Sequence, residues 1–117
     1  LKERQREDGF WNVSLDDPEH YGGPETSGTS LFVYGMAWGM RNGVLSDDVF
    51  GEPALKAWNA LMHDAVHPDG FLGYVQGTGK EPKDGQPVGY DSKPDFEDFA
   101  IGCYLLAGAE MIKFLTQ

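Results

Sequence analysis

Leu31, Phe32, Val33, Tyr34, Met36, Ala37, Trp38 and Met40 crowd into one short stretch, TSGTSLFVYGMAWGMRNG. At 3.6 residues per turn they cover every side of a helix, and a helix apolar all round is expected to be buried all round. The spacing predicts a helix over 27–42, capped by Ser27 or Thr29 and stopped at Asn42-Gly43. A chain carrying such a helix must find several other elements to pack around it. A second segment, over 95–115, has the same character: Phe99, Cys103, Leu106, Met111 and Phe114 leave little polar surface, and Gly102 and Gly108 admit close neighbours. Between them a half-exposed helix is predicted over 53–66. Pro53 is placed at its first position, with Leu55, Trp58, Leu61, Met62 and Ala65 on one stripe and Lys56, Asn59 and Asp64 elsewhere. The expected arrangement packs the first and third helices in parallel as inner helices, with the second outside.

The sequence repeats itself. Asp8-Gly9-Phe10 and Asp69-Gly70-Phe71 stand 61 residues apart. Each follows a helix-like segment and leads, through an irregular loop, to one of the apolar helices. An outer helix, an Asp-Gly turn, a short extended segment and an inner helix make one unit, and stacked helical pairs are what periods of this size suggest. The fold class expected is all-α, with short extended segments after the turns.

Composition removes several functions. The net charge is −10, with 19 acidic and 9 basic residues, which is the wrong sign for a nucleic-acid or anionic-membrane surface. No apolar run is long enough to span a bilayer, and no basic segment precedes an apolar one at the start. The opening LKERQRED reads as the polar end of a helix, so the natural polypeptide is expected to begin further upstream. The single cysteine, Cys103, cannot form an intramolecular disulfide and is expected in the core.

Three candidate motifs bear on chemistry. In HPDGFLGYVQGTGK the pair Gly79-Lys80 suggests a phosphate loop, but a P-loop needs glycine where Tyr74 stands and a hydroxyl where Glu81 stands, so no nucleotide is expected. The stretch is read instead as a strand-like 71–75 running into a mobile polar loop, 76–88, whose Gly77 and Gly79 N–H groups and Thr78 hydroxyl can bind a neutral or anionic ligand. Asp16, Asp17, Glu19 and His20 have no calcium or zinc spacing, so no metal and no cofactor are expected. Asp95, Glu97 and Asp98 offer paired carboxylates, or simply the acidic first turn of a helix. Glu25, just before the first helix, is expected to cap it, with a pocket-facing role as the alternative. His20, His63 and His67 have no partner motif.

The succession DGFWNVSLDDPEHYGGPETSGTSLFVYGMAWGMRNGVL, ALKAWNAL, DGFLGYVQGTG and DFEDFAIGCYLLAGAEM resembles, across the whole chain and in order, the unsaturated rhamnogalacturonyl hydrolases and their unsaturated glucuronyl hydrolase relatives, glycoside hydrolase families 105 and 88. PETSGTS with its aromatic helix, and the terminal GxxLLAxxE pattern, are its most specific parts. The resemblance implies the C-terminal hairpins of a six-hairpin (α/α)6 toroid, with residues 1–117 as one domain or fragment. It implies removal of a 4,5-unsaturated uronic acid from the non-reducing end of lyase-generated oligosaccharides, by protonation and hydration of the ring double bond and collapse of the hemiketal. It places the family's catalytic aspartate upstream, with no catalytic residue in this chain, and it gives Gln76, Gly77 and Thr78 a substrate-binding role. The compartment stays open between bacterial cytoplasm and periplasm. A non-catalytic carbohydrate-binding module and a helical interaction module are the alternatives. Trp38, Phe32, Tyr34, Tyr104 and Phe114 cannot all be covered by three helices, so the chain is expected to self-associate.

Overall fold

The computed structural model describes residues 1–86, 88–93 and 97–117. Its regular elements are strands β1 (Trp11–Asn12) and β2 (Pro24–Glu25) and helices α1 (Thr26–Arg41), α2 (Asp47–Ala60) and α3 (Glu97–Leu115), with short helical turns at Lys2–Arg4, Leu61–Ala65 and Pro82–Gly85. Helix dominates, as expected. The predicted start of the third helix at Asp95 lies outside the described residues, and Glu97 and Asp98 open α3.

The two Asp-Gly turns are built alike. In the first, the Asp8 carboxylate accepts the Phe10 N–H at 3.1 Å, Gly9 N–H donates to Arg6 O, and Arg6 N–H donates to Phe10 O. In the second, Asp69 accepts from Phe71 at 3.1 Å, Gly70 donates to His67 O, and His67 donates to Phe71 O. Gly9 and Gly70 sit at φ +99° and +91°, where a side chain is strained. The local chemistry of Asp and Gly therefore writes the same turn twice. After the first turn β1 pairs antiparallel with β2, Trp11 opposite Glu25. After the second, the expected strand shrinks to one bridge between Leu72 and Val66. Tyr74, at φ +58°, ends it.

Helix α2 begins six residues earlier than expected. Asp47 and Asp48 occupy its first turn, where carboxylates favour the positive end of the helix dipole, and Pro53 lies inside. The turn that follows is wider than an α-turn, Val66 N–H reaching back to Leu61 O at 3.3 Å. The buried stripe also differs: Pro53, Ala54, Ala57, Ala60, Leu61 and Ala65 face inward, while Leu55 and Met62 lie outward. Small side chains let α2 pack closely, and Leu61 follows the alanines inward at its end. The helix is half-exposed, as predicted.

Helices α1 and α3 pack along their length, and α2 leans on α1. Arg41, in the last turn of α1, meets Glu110 near the end of α3, while Phe99 at the start of α3 lines one cleft with Gln76, which bonds Glu25 at the start of α1. Like ends lie together, so the two helices run parallel. Val33, Met36, Ala37 and Met40 of α1 join Ala100, Ala107 and Met111 of α3 in the core. Trp58 of α2 stacks on Tyr104 of α3 with ring centres 5.1 Å apart. Neither inner helix is buried all round, however. Leu31 and Trp38 on α1, and Ile101, Leu105, Leu106 and Ile112 on α3, are exposed, because the chain's own elements cover only part of each helix. Phe32, Tyr34, Tyr104 and Phe114 do pack against the core, which leaves Trp38 as the exposed member of the expected aromatic set.

A charged clasp closes the far end. Glu110, 5 % exposed, receives Arg41 on one oxygen at 2.6 Å and Lys113 on the other at 2.9 Å. The Lys113 hydrogen bond, followed by the bond and charge of Arg41, holds the Glu110 carboxyl below its usual range against the opposing effect of burial. A carboxyl lowered on folding adds stability above its unfolded pKa, and that stability is lost as pH falls through the folded value. Acid titration of stability should therefore steepen in this window, and Glu110→Gln should flatten it. Urea midpoints measured at neutral pH and at several pH values below about 4.5, the usual range of a glutamate, check this; equal slopes for both proteins would refute it.

Candidate functional site

The loops that follow both Asp-Gly turns converge on the N-terminus of α1. Trp11 N–H donates to Thr29 Oγ1 at 3.0 Å, which pins β1 to the helix. From the second loop, Gly73 O accepts the Thr26 hydroxyl at 2.6 Å and Tyr74 O accepts the Thr26 N–H at 2.8 Å. Glu25 ties these parts together. Its carboxylate accepts the Ser27 N–H at 3.0 Å, the Gly28 N–H at 2.6 Å, the Ser27 hydroxyl at 2.8 Å and the Gln76 N–H at 3.1 Å. Glu25, 3 % exposed, is thus the cap, and Ser27 and Thr29 are not: Ser27 donates to it, and Thr29 serves β1.

Beyond this knot lie two adjoining clefts. One, of about 450 Å³, is walled by Gln76, Gly77, Thr78, Gly79 and Lys80, with Phe99 opposite. The other, of about 180 Å³, is lined by Trp11, Glu25, Gly28, Phe32 and again Gln76. Trp11 and Phe32 meet edge to face, ring centres 5.2 Å apart. The three residues given a binding role by resemblance therefore share one wall, and Gln76 borders both spaces. The loop is more internally bonded than a mobile polar loop. Asp84 accepts the Lys80 and Glu81 N–H groups at 3.1 Å each, and Gly77 N–H donates to Gly85 O at 3.3 Å. Gly77 thus spends its N–H on closing the loop and does not offer it outward. Phe32, backed by the buried Trp11, and Phe99 supply the apolar surfaces, and spacing in the sequence does not assign any of the three to a site.

Other candidates stay apart. Asp16 pairs with Arg4 and Asp17 lies near His20 on the surface, and among the described residues no three metal-ligating side chains gather. Asp95 lies outside the described residues. His63 and His67 bond backbone carbonyls of Asn59 and Tyr90 away from the clefts. Cys103 is half-buried, not a core residue. Burial, and then the negative charge of Glu25, push its thiol up. Cys103 should react several-fold more slowly with iodoacetamide at neutral pH than a small free thiol; a rate equal to or above the free thiol's would contradict this.

Comparison with known proteins agrees with this architecture. The chain is 39 % identical over 113 residues to an unsaturated 3S-rhamnoglycuronyl hydrolase of Formosa agariphila, covering 97 % of this chain and 28 % of that protein. It is 40 % identical over 108 residues to one of the same name from an Alteromonas species, covering 92 % of this chain and 24 % of that protein. The solved structure of a glycosyl hydrolase family 88 protein from Bacteroides vulgatus superposes with a TM-score of 0.86 at 43 % identity, over 97 % of this chain and 32 % of that one. The chain thus spans about a quarter of the curated relatives and about a third of the solved structure. The profile described as Glycosyl Hydrolase Family 88 matches residues 1–115, and the chain belongs to that family.

Proposed function

We propose that this chain is part of a glycoside hydrolase that releases a 4,5-unsaturated uronic acid from the non-reducing end of lyase-generated oligosaccharides. The observation that carries the reading is the cleft wall formed by Gln76, Gly77 and Thr78 against the capped start of α1, in a chain of this family. Lys80 brings a cation to that wall in a molecule of net charge −10, which suits a uronate. Phe32, packed edge to face on the buried Trp11, offers an apolar surface to a sugar ring in the adjoining space. The names of the two curated relatives support an unsaturated rhamnoglycuronyl substrate.

In this reading the reaction protonates the ring double bond, adds water to it, and lets the resulting hemiketal open with loss of the sugar. A carboxyl must serve as acid and base. The candidates in these residues are committed elsewhere: Glu25 caps α1, and Glu110 is clasped by two cations. As the family resemblance implies, the acid and base then come from upstream of these residues, whose part is to bind and orient. The 117-residue chain should leave the ultraviolet absorbance of an unsaturated disaccharide unchanged, while a full-length family member consumes it. In the same chain, the disaccharide should shift the backbone amide resonances of 76–79. Turnover by the pure chain would overturn the assignment of the acid and base, and unshifted amides at saturating disaccharide would overturn the binding wall.

A further inference from the structure

A third space lies on the other side of Tyr74, and it shares no lining residue with the Gln76 clefts. It measures about 410 Å³, within the size range of small-molecule sites, and sits against the first Asp-Gly-Phe turn. Phe10 and Pro24 floor it, Tyr74 and Tyr90 wall it, and His63 and Asp64 stand at its rim beside Asp8.

Its aromatic wall is held in place. Tyr90 stacks on His67 with ring centres 3.6 Å apart and planes 10° off parallel, and its carbonyl accepts the His67 Nε2–H at 2.7 Å. Tyr74 packs edge-on against Phe10 at 5.8 Å, on a backbone fixed by Gly89 O and Thr26 N–H. Its polar groups, in contrast, are largely unspent. The Tyr74 and Tyr90 hydroxyls make no hydrogen bond among the described residues, and neither does the Asp64 carboxylate. His63 bonds Asn59 O through Nδ1 at 2.8 Å; a carbonyl only accepts, so Nδ1 carries the proton and Nε2 of the neutral ring is left as an acceptor. Asp8 differs, since Arg6 and the Phe10 N–H already occupy its oxygens.

We propose that this pocket is a second carbohydrate site, which takes a neutral pyranose. Sugar C–H faces stack on the tyrosines, while sugar hydroxyls donate to Asp64 and His63 Nε2 and accept from the two phenols. The Asp64 carboxylate, with no cation paired to it among the described residues, disfavours a uronate here, in contrast to the cleft that carries Lys80. The choice of a sugar rests on the reading of the chain as part of a carbohydrate hydrolase.

Amide-resolved NMR of the 117-residue chain, titrated with methyl α-L-rhamnopyranoside, tests it. The glycoside should shift His63, Asp64, Tyr74 and Tyr90 saturably and leave 76–79 in place. Asp64→Asn should weaken it about tenfold, as expected for losing a charged acceptor, and Tyr90→Phe should weaken it less while keeping the stack. Both variants change exposed side chains, and unperturbed spectra elsewhere confirm their folds. No shift at those four residues, equal binding of glucuronate, or stronger binding of tetramethylammonium would overturn the proposal. The unsaturated-disaccharide shifts at 76–79 are read from separate resonances, so the two sites fail or stand independently.

Discussion

Glu25→Ala is expected to destabilise the chain by about 3 kcal/mol, the largest loss of any single side chain outside the apolar core. Loss of an N-cap alone costs about 1 kcal/mol, and each buried donor left unpaired adds about 1 to 3 kcal/mol. Here four donors lose their acceptor at once: the Ser27 and Gly28 N–H groups, the Ser27 hydroxyl and the Gln76 N–H. Two of these donors are the cap itself, and water entering the vacated space satisfies others, which brings the total below the simple sum to about 3 kcal/mol. Glu25→Gln keeps an acceptor oxygen but loses the charge and should cost about half as much. The cap also links the helix to the loop, so binding at 76–79 should weaken along with stability. Urea midpoints compared with sugar-induced amide shifts check both effects. A Glu25→Ala protein within 1 kcal/mol of the parent would show that the carboxylate is not the knot at the start of α1.

What was legible in the sequence was local chemistry. Both Asp-Gly turns, the stop of α1 at Asn42-Gly43 and the capping role of Glu25 follow from side-chain and backbone preferences within a few residues, and all appear in the structure. Contacts between distant segments were much less legible. The missing N–H of Pro53 predicts a helix start, where it is harmless. Two aspartates in the turn before it started the helix first, and the fold tolerates the proline inside. Spacing puts Leu55 and Met62 on one stripe with Leu61 and Ala65, yet Ala54, Ala57 and Ala60 join Leu61 and Ala65 on the buried side and leave Leu55 and Met62 out. Gln76, Gly77 and Thr78 do line a cleft. Their aromatic company could not be read from spacing, because Trp11 and Phe32 meet only once β1 is pinned to α1 through Thr29. The left-handed Tyr74 gave no signal either, since an aromatic residue rarely adopts that conformation.

The apolar residues left outside carry the second large effect: the chain is expected to self-associate. Ile101, Leu105 and Ile112 form one stripe along α3, with Leu105 62 % and Ile112 65 % exposed, and Leu31 and Trp38 form another on α1. Soluble monomers rarely show continuous apolar patches beyond a few hundred Å². Covering about 300 Å² on each of two copies is worth about 15 kcal/mol, against association costs of about 4 to 15 kcal/mol, so pairing at micromolar concentration or above is the expected balance. The charge of −10 opposes approach but is screened over about 8 Å at physiological salt, so association should strengthen as salt is added. Sedimentation equilibrium across a dilution series should give a mass that climbs above 12.9 kDa with concentration. Leu105→Lys combined with Ile112→Lys should return it to the monomer mass without loss of helix content, because both side chains already face water. A parent chain that stays monomeric at tens of micromolar and unfolds cooperatively would mean that these stripes are too divided by polar neighbours to act as one surface.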